Sequence, residues 1–322
     1  MSTSLFGFGA LDRWIDDDAV SEVLVNAGRE VWVERVDGPP GTHYVGRLAP
    51  GAIDVILERI LTPTGRRLDR TSPVVDARLA DGSRVCAVLP PVSADGPCLA
   101  VRRFRRQVME LSCFGPPDVC AFVDSIVAAR CNLLVSGATS SGKTSLLNAV
   151  AGRIAPQERI ITLEDTAELR LGAPHVLRLE CRPATTDGVG EVTMESLLRA
   201  ALRLRPDRIV LGEVRGTEAG ELVQALNTGH DGSMSTIHAN SPTDALMRLE
   251  SLVVQAGTGW TERSARDHVC RSVDVVIHVS RAPDGTRSIE QVCEVANVGA
   301  TERTRPLLVA GAVVGALERV RR

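Results

Sequence analysis

Apolar residues in the N-terminal third of the chain fall in short runs broken by turn signals, a pattern that predicts a small α+β domain over residues 1–106. An apolar alternation at 21–25, the turn residues Asn26-Ala27-Gly28 and a second alternation at 31–36 predict a β-hairpin. Residues 53–61 repeat their apolar positions at helical spacing and stop before Pro63. A second hairpin is expected from 77–79 and 84–89, with Asp81-Gly82 supplying the positive φ angles of a tight turn, and 98–104 adds a further strand. A linker over 107–118, marked by Gly115-Pro116-Pro117, closes this part.

Over 119–322 the pattern changes to apolar runs alternating with amphipathic stretches, which predicts an α/β domain with a parallel sheet covered on both faces. Strands are expected at 132–136, 159–163, 176–179, 208–211 and 233–237, and helices at 144–151, 193–204, 217–227, 242–254 and 261–272. No internal repeat interrupts this order.

Composition narrows the class. Hydrophobic residues at 44% and charged residues at 24% describe an ordinary globular chain of 322 residues, long enough for about two domains. A net charge of −3 carries no signature of a nucleic-acid binder, and the run Arg102-Arg103-Phe104-Arg105-Arg106 reads as a solvated or nucleotide-facing segment. The eight cysteines show neither a C-x-x-C pair nor zinc spacing and read as reduced, mostly buried cytosolic thiols. No secretory signal is expected at the N-terminus, and the apolar stretch 307–317 is too short to span a bilayer, so no integral membrane segment is expected.

One residue stands out from this background. Arginine supplies 36 of the 37 basic residues, and the single lysine, Lys143, falls in Gly137-Ala138-Thr139-Ser140-Ser141-Gly142-Lys143-Thr144, a match to the phosphate-binding pattern G-x-x-x-x-G-K-[ST] between a predicted strand and a predicted helix. Such a loop wraps backbone N–H groups around phosphates and leaves room for a compact ammonium on a flexible stem, not for a planar guanidinium. Residues 137–145, Ser145 included, are therefore the expected binding site for ATP, with Lys143 neutralising the β and γ phosphates and Thr144 the hydroxyl ligand of Mg²⁺.

Three further groups are candidates for the chemistry. Glu213 follows the apolar run 209–211, where it either polarises the attacking water or positions it through Mg²⁺; the plainer reading is a surface glutamate opening a loop. Gly212 stands where an aspartate holding the metal's water shell is usual, and Glu164 or Asp165, at the end of another strand, can fill that gap. His230 and His238 flank an expected strand; taken alone they read as structural histidines, but a strand in the sheet of the phosphate loop makes His238 a candidate γ-phosphate sensor.

In this order the segments resemble the type II/type IV secretion ATPases, most closely the CpaF-type Tad pilus assembly ATPases. The resemblance runs from 23–26 and 76–84 to Arg281 and Glu294-Val295, and is most specific in 203–208, Gly212-Glu213-Val214-Arg215-Gly216 and 227–240. It implies a RecA-like ATPase domain, a PAS-like N-terminal domain over the nucleotide and a homo-hexameric ring. Residues 161–165 would be the aspartate box, Glu213 the catalytic glutamate and 235–240 the histidine box. Arg84 and Arg102 match arginines that reach the γ-phosphate; nothing else in the sequence separates them from the other arginines. Ala138 and Ser140 replace two glycines usual in the family's loop, a strain of about 1 kcal/mol or more if those positions need positive φ.

The expected function is a cytoplasmic motor ATPase docked on an inner-membrane platform protein, driving pilus assembly or protein secretion. A conjugative or retraction motor, and a nucleotide-dependent scaffold with little hydrolysis, remain alternatives. No nucleic-acid partner is expected.

Overall fold

The computed structural model describes residues 7–39, 41–104, 109–184, 189–257, 259–297 and 302–319, so Arg105, Arg106 and part of the expected linker lie outside the described residues. Two compact units emerge, one formed by 1–107 with 283–285 and the other by 108–282 with 286–322.

The N-terminal unit is a six-stranded antiparallel sheet in the order β3-β2-β1-β6-β5-β4. Its strands are β1 (Val20–Asn26), β2 (Glu30–Arg35), β3 (Thr42–Arg47), β4 (Val74–Arg78), β5 (Arg84–Val88) and β6 (Cys98–Arg102), with helices α1 (Asp12–Ile15) and α2 (Ala52–Leu61). One face buries Val23, Val25, Val31, Val33, Val85, Ala87, Leu99 and Val101 against Ile53, Ile56, Leu57 and Ile60 of α2. This is the period-two alternation of a sheet with one covered face meeting the apolar stripe of a helix. Both expected hairpins form, but the second differs in its turn: Gly82 has φ +94° while Asp81 is not among the residues at positive φ, so a longer loop replaces the two-residue turn.

The second unit carries a nine-stranded sheet ordered β15-β14-β13-β12-β7-β11-β10-β8-β9. Its strands are β7 (Leu133–Gly137), β8 (Ile160–Glu164), β9 (Val176–Glu180), β10 (Arg208–Leu211), β11 (Met234–His238), β12 (Val275–Arg281), β13 (Arg287–Val295), β14 (Thr304–Val309) and β15 (Ala312–Val313). Helices are α3 (Pro117–Ala128), α4 (Lys143–Ala151), α5 (Met194–Leu202), α6 (Glu218–Asn227), α7 (Pro242–Gln255) and α8 (Glu262–Ser272). The run from β9 to β12 is parallel, as expected, whereas β13 to β15 return antiparallel, an extension that the strand pattern did not anticipate.

Every residue of β7, β8 and β10 is buried, which explains why they read as unbroken apolar runs: helices cover both faces. Leu133 and Val135 of β7 face the core with α3 and α4, and Leu134 faces the core with α5 to α8. The ends of the covering helices are fixed locally. Thr193, Ser241 and Thr261 accept hydrogen bonds from the backbone N–H three residues on, satisfying donors that a helix start leaves orphaned.

Buried polar groups pin the edge of the sheet remote from the phosphate loop. Asn132, fully buried, donates to Leu226 O (3.2 Å) and Ser272 O (2.7 Å) and accepts from Gly232 N (2.8 Å) and Ser233 N (3.1 Å), so its amide is satisfied on all sides. At the start of β10, Arg208 forms a fork with Glu158, Nε to Oε2 at 2.7 Å and Nη2 to Oε1 at 2.9 Å. On the far flank Glu294 accepts from the backbone N–H groups of Glu318 (2.8 Å) and Arg319 (2.6 Å) and pairs with Arg305, holding the C-terminal segment on the sheet.

None of the eight cysteines forms a disulfide, but only Cys131, Cys270 and Cys293 are buried; Cys113 is exposed and the rest half-buried, so the expectation of mostly buried thiols holds for a minority. Among the described residues no helix is long and apolar enough to cross a membrane.

Candidate functional site: a phosphate loop wired to a carboxylate

The C-terminal ends of the parallel strands gather the expected groups along one edge. In register, Gly137 of β7 stands beside His238 of β11, and Leu211 of β10 beside Leu163 of β8. The residues that follow, 138–142 after β7, Gly212-Glu213 after β10 and Asp165 after β8, therefore rise from neighbouring strands. In open α/β sheets this is where ligands bind. His230 lies at the other end of β11, its Nδ1 3.3 Å from Ala225 O, so the structure separates the two histidines and leaves only His238 at this edge.

Gly142 has φ +101° and precedes α4, and no side chain caps that helix, leaving its first-turn N–H groups pointing at the loop. Gly137 has no room for a side chain: a β-carbon there would lie 2.5 Å from both Ser141 Oγ and Val279 O. Ser141 Oγ itself is buried without a hydrogen-bond partner. A tight, donor-rich loop at a bare helix N-terminus fits a chain of phosphates. The departures from the family's glycines divide: Ser140 adopts φ +59°, in the left-handed region, whereas Ala138 is not among the residues at positive φ. A serine there costs about 1 kcal/mol, and glycine would lose about 0.4–1 kcal/mol through the freer unfolded chain; the terms nearly cancel, so the substitution leaves the loop intact.

Lys143 is 7% exposed and spends its ammonium inside the site. Nζ donates to Gly137 O (3.1 Å) and Ala138 O (2.9 Å) and lies 3.1 Å from His238 Nδ1. An ammonium only donates, so Nδ1 is the acceptor, the ring is neutral and its hydrogen sits on Nε2. That Nε2 lies 3.1 Å from Glu213 Oε1. Lysine, histidine and glutamate thus form one hydrogen-bonded chain across β7, β11 and β10. Burial, reinforced by the Lys143 charge, pushes the His238 pKa below 6.5, with Glu213 acting in the opposite sense. Because the folded-state pKa is the lower one, the neutral ring contributes stability above the unfolded value, and that contribution is lost as pH falls through the folded value. An NMR titration of the His238 ring is expected to show its midpoint below 6.5, and the Lys143 contact breaking as the ring protonates. A midpoint above 6.5 would contradict the arrangement.

Glu164 is 3% exposed, and its Oε1 accepts from the backbone N–H groups of Glu168 (2.9 Å) and Leu169 (3.0 Å). A β-carbon at position 212 would lie 3.1 Å from Glu164 Cγ. The position of the missing aspartate is therefore tight: a side chain there would require the Glu164 side chain to shift by a few tenths of an ångström. Asp165 pairs with Arg215, whose Nη1 also lies 3.9 Å from Glu213 Oε2, so Arg215 bridges the loops after β8 and β10. Buried Glu218 fixes that loop by accepting from Arg215 N (2.7 Å) and Gly216 N (2.9 Å). Neither Arg215 nor Glu218 was singled out from sequence; the only signal was that Arg215 falls in Gly-Glu-Val-Arg-Gly.

No group of three or more His, Cys, Asp or Glu side chains among the described residues could hold a metal by itself. Thr144, the first residue after Lys143 in α4, is the hydroxyl available to share an Mg²⁺ ion with phosphate oxygens and water, the usual way this hard cation is held. Arg84 and Arg102 belong to the N-terminal unit, where they are register partners on β5 and β6; Arg78 of β4 continues the row beside Arg84. Arg102 is 59% exposed, with Glu22 Oε1 3.8 Å from its Nε.

Comparison with known proteins gives this arrangement its setting. The family model described as type II/IV secretion system protein matches residues 5–310. A putative conjugal transfer protein of Mycobacterium tuberculosis H37Rv is 39% identical over 305 residues, covering 91% of this chain and 85% of that protein. Among solved structures, the VirB11 ATPase of the Brucella suis type IV secretion system, in complex with sulphate, is 28% identical with a TM-score of 0.50, covering 89% of this chain and 93% of that one. The Legionella pneumophila ATPase DotB shares the fold with a TM-score of 0.62 at 18% identity, over 89% of this chain and 81% of that one. These likenesses identify the second unit as a RecA-like ATPase domain preceded by an N-terminal domain, and with the family model they place this chain in the type II/IV secretion system protein family.

Proposed function

We propose that this chain is a motor ATPase of a secretion or conjugal-transfer machine, working as a homo-hexameric ring on the cytoplasmic face of the inner membrane against a membrane-embedded platform protein. The observation that carries the reading is the chain from Lys143 through His238 to Glu213, because it joins the group that meets the phosphates to a carboxylate placed to act on water. The loop 137–145 holds the phosphates of ATP through its backbone N–H groups and Lys143. Mg²⁺, held through Thr144, supplies charge neutralisation when bound. Glu213 accepts the proton of the attacking water, while neutral His238 keeps that carboxylate oriented and reports on the γ-phosphate through its contact with Lys143. Glu164 shapes the loop after β8 as well as filling the space beside Glu213. The family likeness carries a role in supplying positive charge to the γ-phosphate to Arg84 and Arg102 of the N-terminal unit.

The conjugal-transfer relative favours a conjugative or type IV secretion setting over Tad pilus assembly. Phosphate release from ATP by the purified chain with and without Mg²⁺, run beside a native mass measurement, tests the reading. Mg²⁺-dependent turnover by a six-subunit particle supports it. Tight nucleotide binding with no turnover would favour a scaffold instead.

A further inference from the structure

The face of the N-terminal sheet opposite α2 carries a continuous row of charges. Because side chains alternate along a strand, Glu22 and Arg102 point away from the core that Val23 and Val101 build against α2. Across the strands the partners in register run Arg78, Arg84, Arg102, Glu22 and Glu34, from β4 through β5, β6 and β1 to β2. Like charges directly opposite one another destabilise a sheet, and unlike charges stabilise it. Among these five the one junction of opposite sign is Arg102 with Glu22, so the guanidinium is drawn toward the carboxylate and away from Arg84.

That junction is loose. Arg102 Nε lies 3.8 Å from Glu22 Oε1, within reach of an ion pair and too far for a hydrogen bond, and the glutamate side chain is the more buried of the two. The carboxylate depends on the pair. Burial pushes the Glu22 pKa up, the Arg102 charge pulls it back and Glu34 pushes it up again, leaving a net rise. Arginine binds a phosphate through parallel, charge-assisted hydrogen bonds, which its contact with Glu22 lacks, so a phosphate within reach is the stronger partner. Resting on the reading above in which Arg102 meets the γ-phosphate, we propose that Glu22 is the resting counter-ion of Arg102 and competes with the γ-phosphate for that guanidinium. The carboxylate keeps Arg102 when the nucleotide ends at its β-phosphate and yields it to ATP, so Glu22 lowers the preference for ATP over ADP.

Binding of ATP and ADP to Glu22→Gln tests this, since the amide keeps the size of the side chain and removes its charge. ATP is expected to bind about threefold more tightly, the size of a partly exposed ion pair, with ADP affinity unchanged. Arg102→Ala is expected to weaken ATP about tenfold or more, the size of a charge-assisted hydrogen bond, and to spare ADP. Glu22→Gln added to Arg102→Ala should change nothing further, because the guanidinium under competition is gone. Unchanged or weaker ATP binding in Glu22→Gln, an equal gain for ADP, or a gain that survives in the Arg102→Ala background would overturn the counter-ion while leaving the role of Arg102 in place. Equal losses of ATP and ADP in Arg102→Ala, or none, would overturn the γ-phosphate reading and this assignment with it.

Discussion

Glu213→Gln is expected to cut ATP hydrolysis about a thousandfold, within the range that a positioned general base contributes, while nucleotide affinity stays within a few-fold. The change is nearly isosteric: the amide oxygen can still accept from His238 Nε2, now 3.1 Å from Oε1, so the Lys143 chain survives in shape. What disappears is the carboxylate that takes a proton from water. Glu213 follows the strand next but one to β7 and makes no part of the loop that wraps the phosphates, so its loss falls on turnover and leaves binding alone. Phosphate release under saturating ATP, beside calorimetric binding, reads both halves. A loss below tenfold would move the base elsewhere, and Glu164 is poorly placed to inherit the role, because its Oε1 is already engaged by Glu168 N and Leu169 N.

The second large effect concerns the opposite edge of the sheet. Arg208→Met is expected to lower stability by about 3–5 kcal/mol, the cost of removing one partner from a buried ion pair. Arg208 is 2% exposed and, besides its fork with Glu158, donates to Gly232 O (3.1 Å) and Val127 O (3.3 Å). Its loss strands several acceptors together. Arg130 remains 2.7 Å from Glu158 and offsets part of the loss, which argues for the lower half of the range. Burial would raise the Glu158 pKa, but the Arg208 hydrogen bond and the charges of Arg208 and Arg130 outweigh it and hold the carboxyl below its ordinary value. The pair's contribution is therefore present above the ordinary carboxylate range and lost on acidification through the lowered value. Urea unfolding at neutral pH measures the difference; a shift below about 1 kcal/mol would show that the network relaxes around the gap.

Both effects trace to features with different visibility in the sequence. The fully buried strands β7, β8 and β10 were legible because burial on both faces writes an unbroken apolar run. The helices that Thr193, Ser241 and Thr261 cap were legible from the alternation of apolar and polar positions, while the caps themselves emerged only in the folded chain. The strands β12 to β15 were not placed, because an apolar run does not state which sheet edge it joins, and glycines break the stretch that contains β14 and β15. The start of α3 was hidden in the expected linker: Pro117, read as a breaker, serves as an opening residue of the helix, where its missing N–H costs nothing.

At the site, the phosphate loop declared itself by residue type and position, whereas the connection from Lys143 to Glu213 depends on β11 lying between β7 and β10. That order is a property of the folded sheet and leaves no local mark. The tight contact at Gly212 is of the same kind, since the Glu164 side chain that makes it is far away in sequence. Arg215 and Arg287 were two arginines among many until the fold set one beside Asp165 and the other across Gly142.

Everything proposed for this edge of the sheet depends on a compact ammonium at position 143, donating to Gly137 O, Ala138 O and His238 at about 3 Å. Lys143→Arg keeps the charge and replaces that point with a planar fork which the loop has no room to turn. Steady-state ATP hydrolysis by this variant is the most direct test: the account predicts activity near background with the fold intact, and turnover equal to wild type would contradict it.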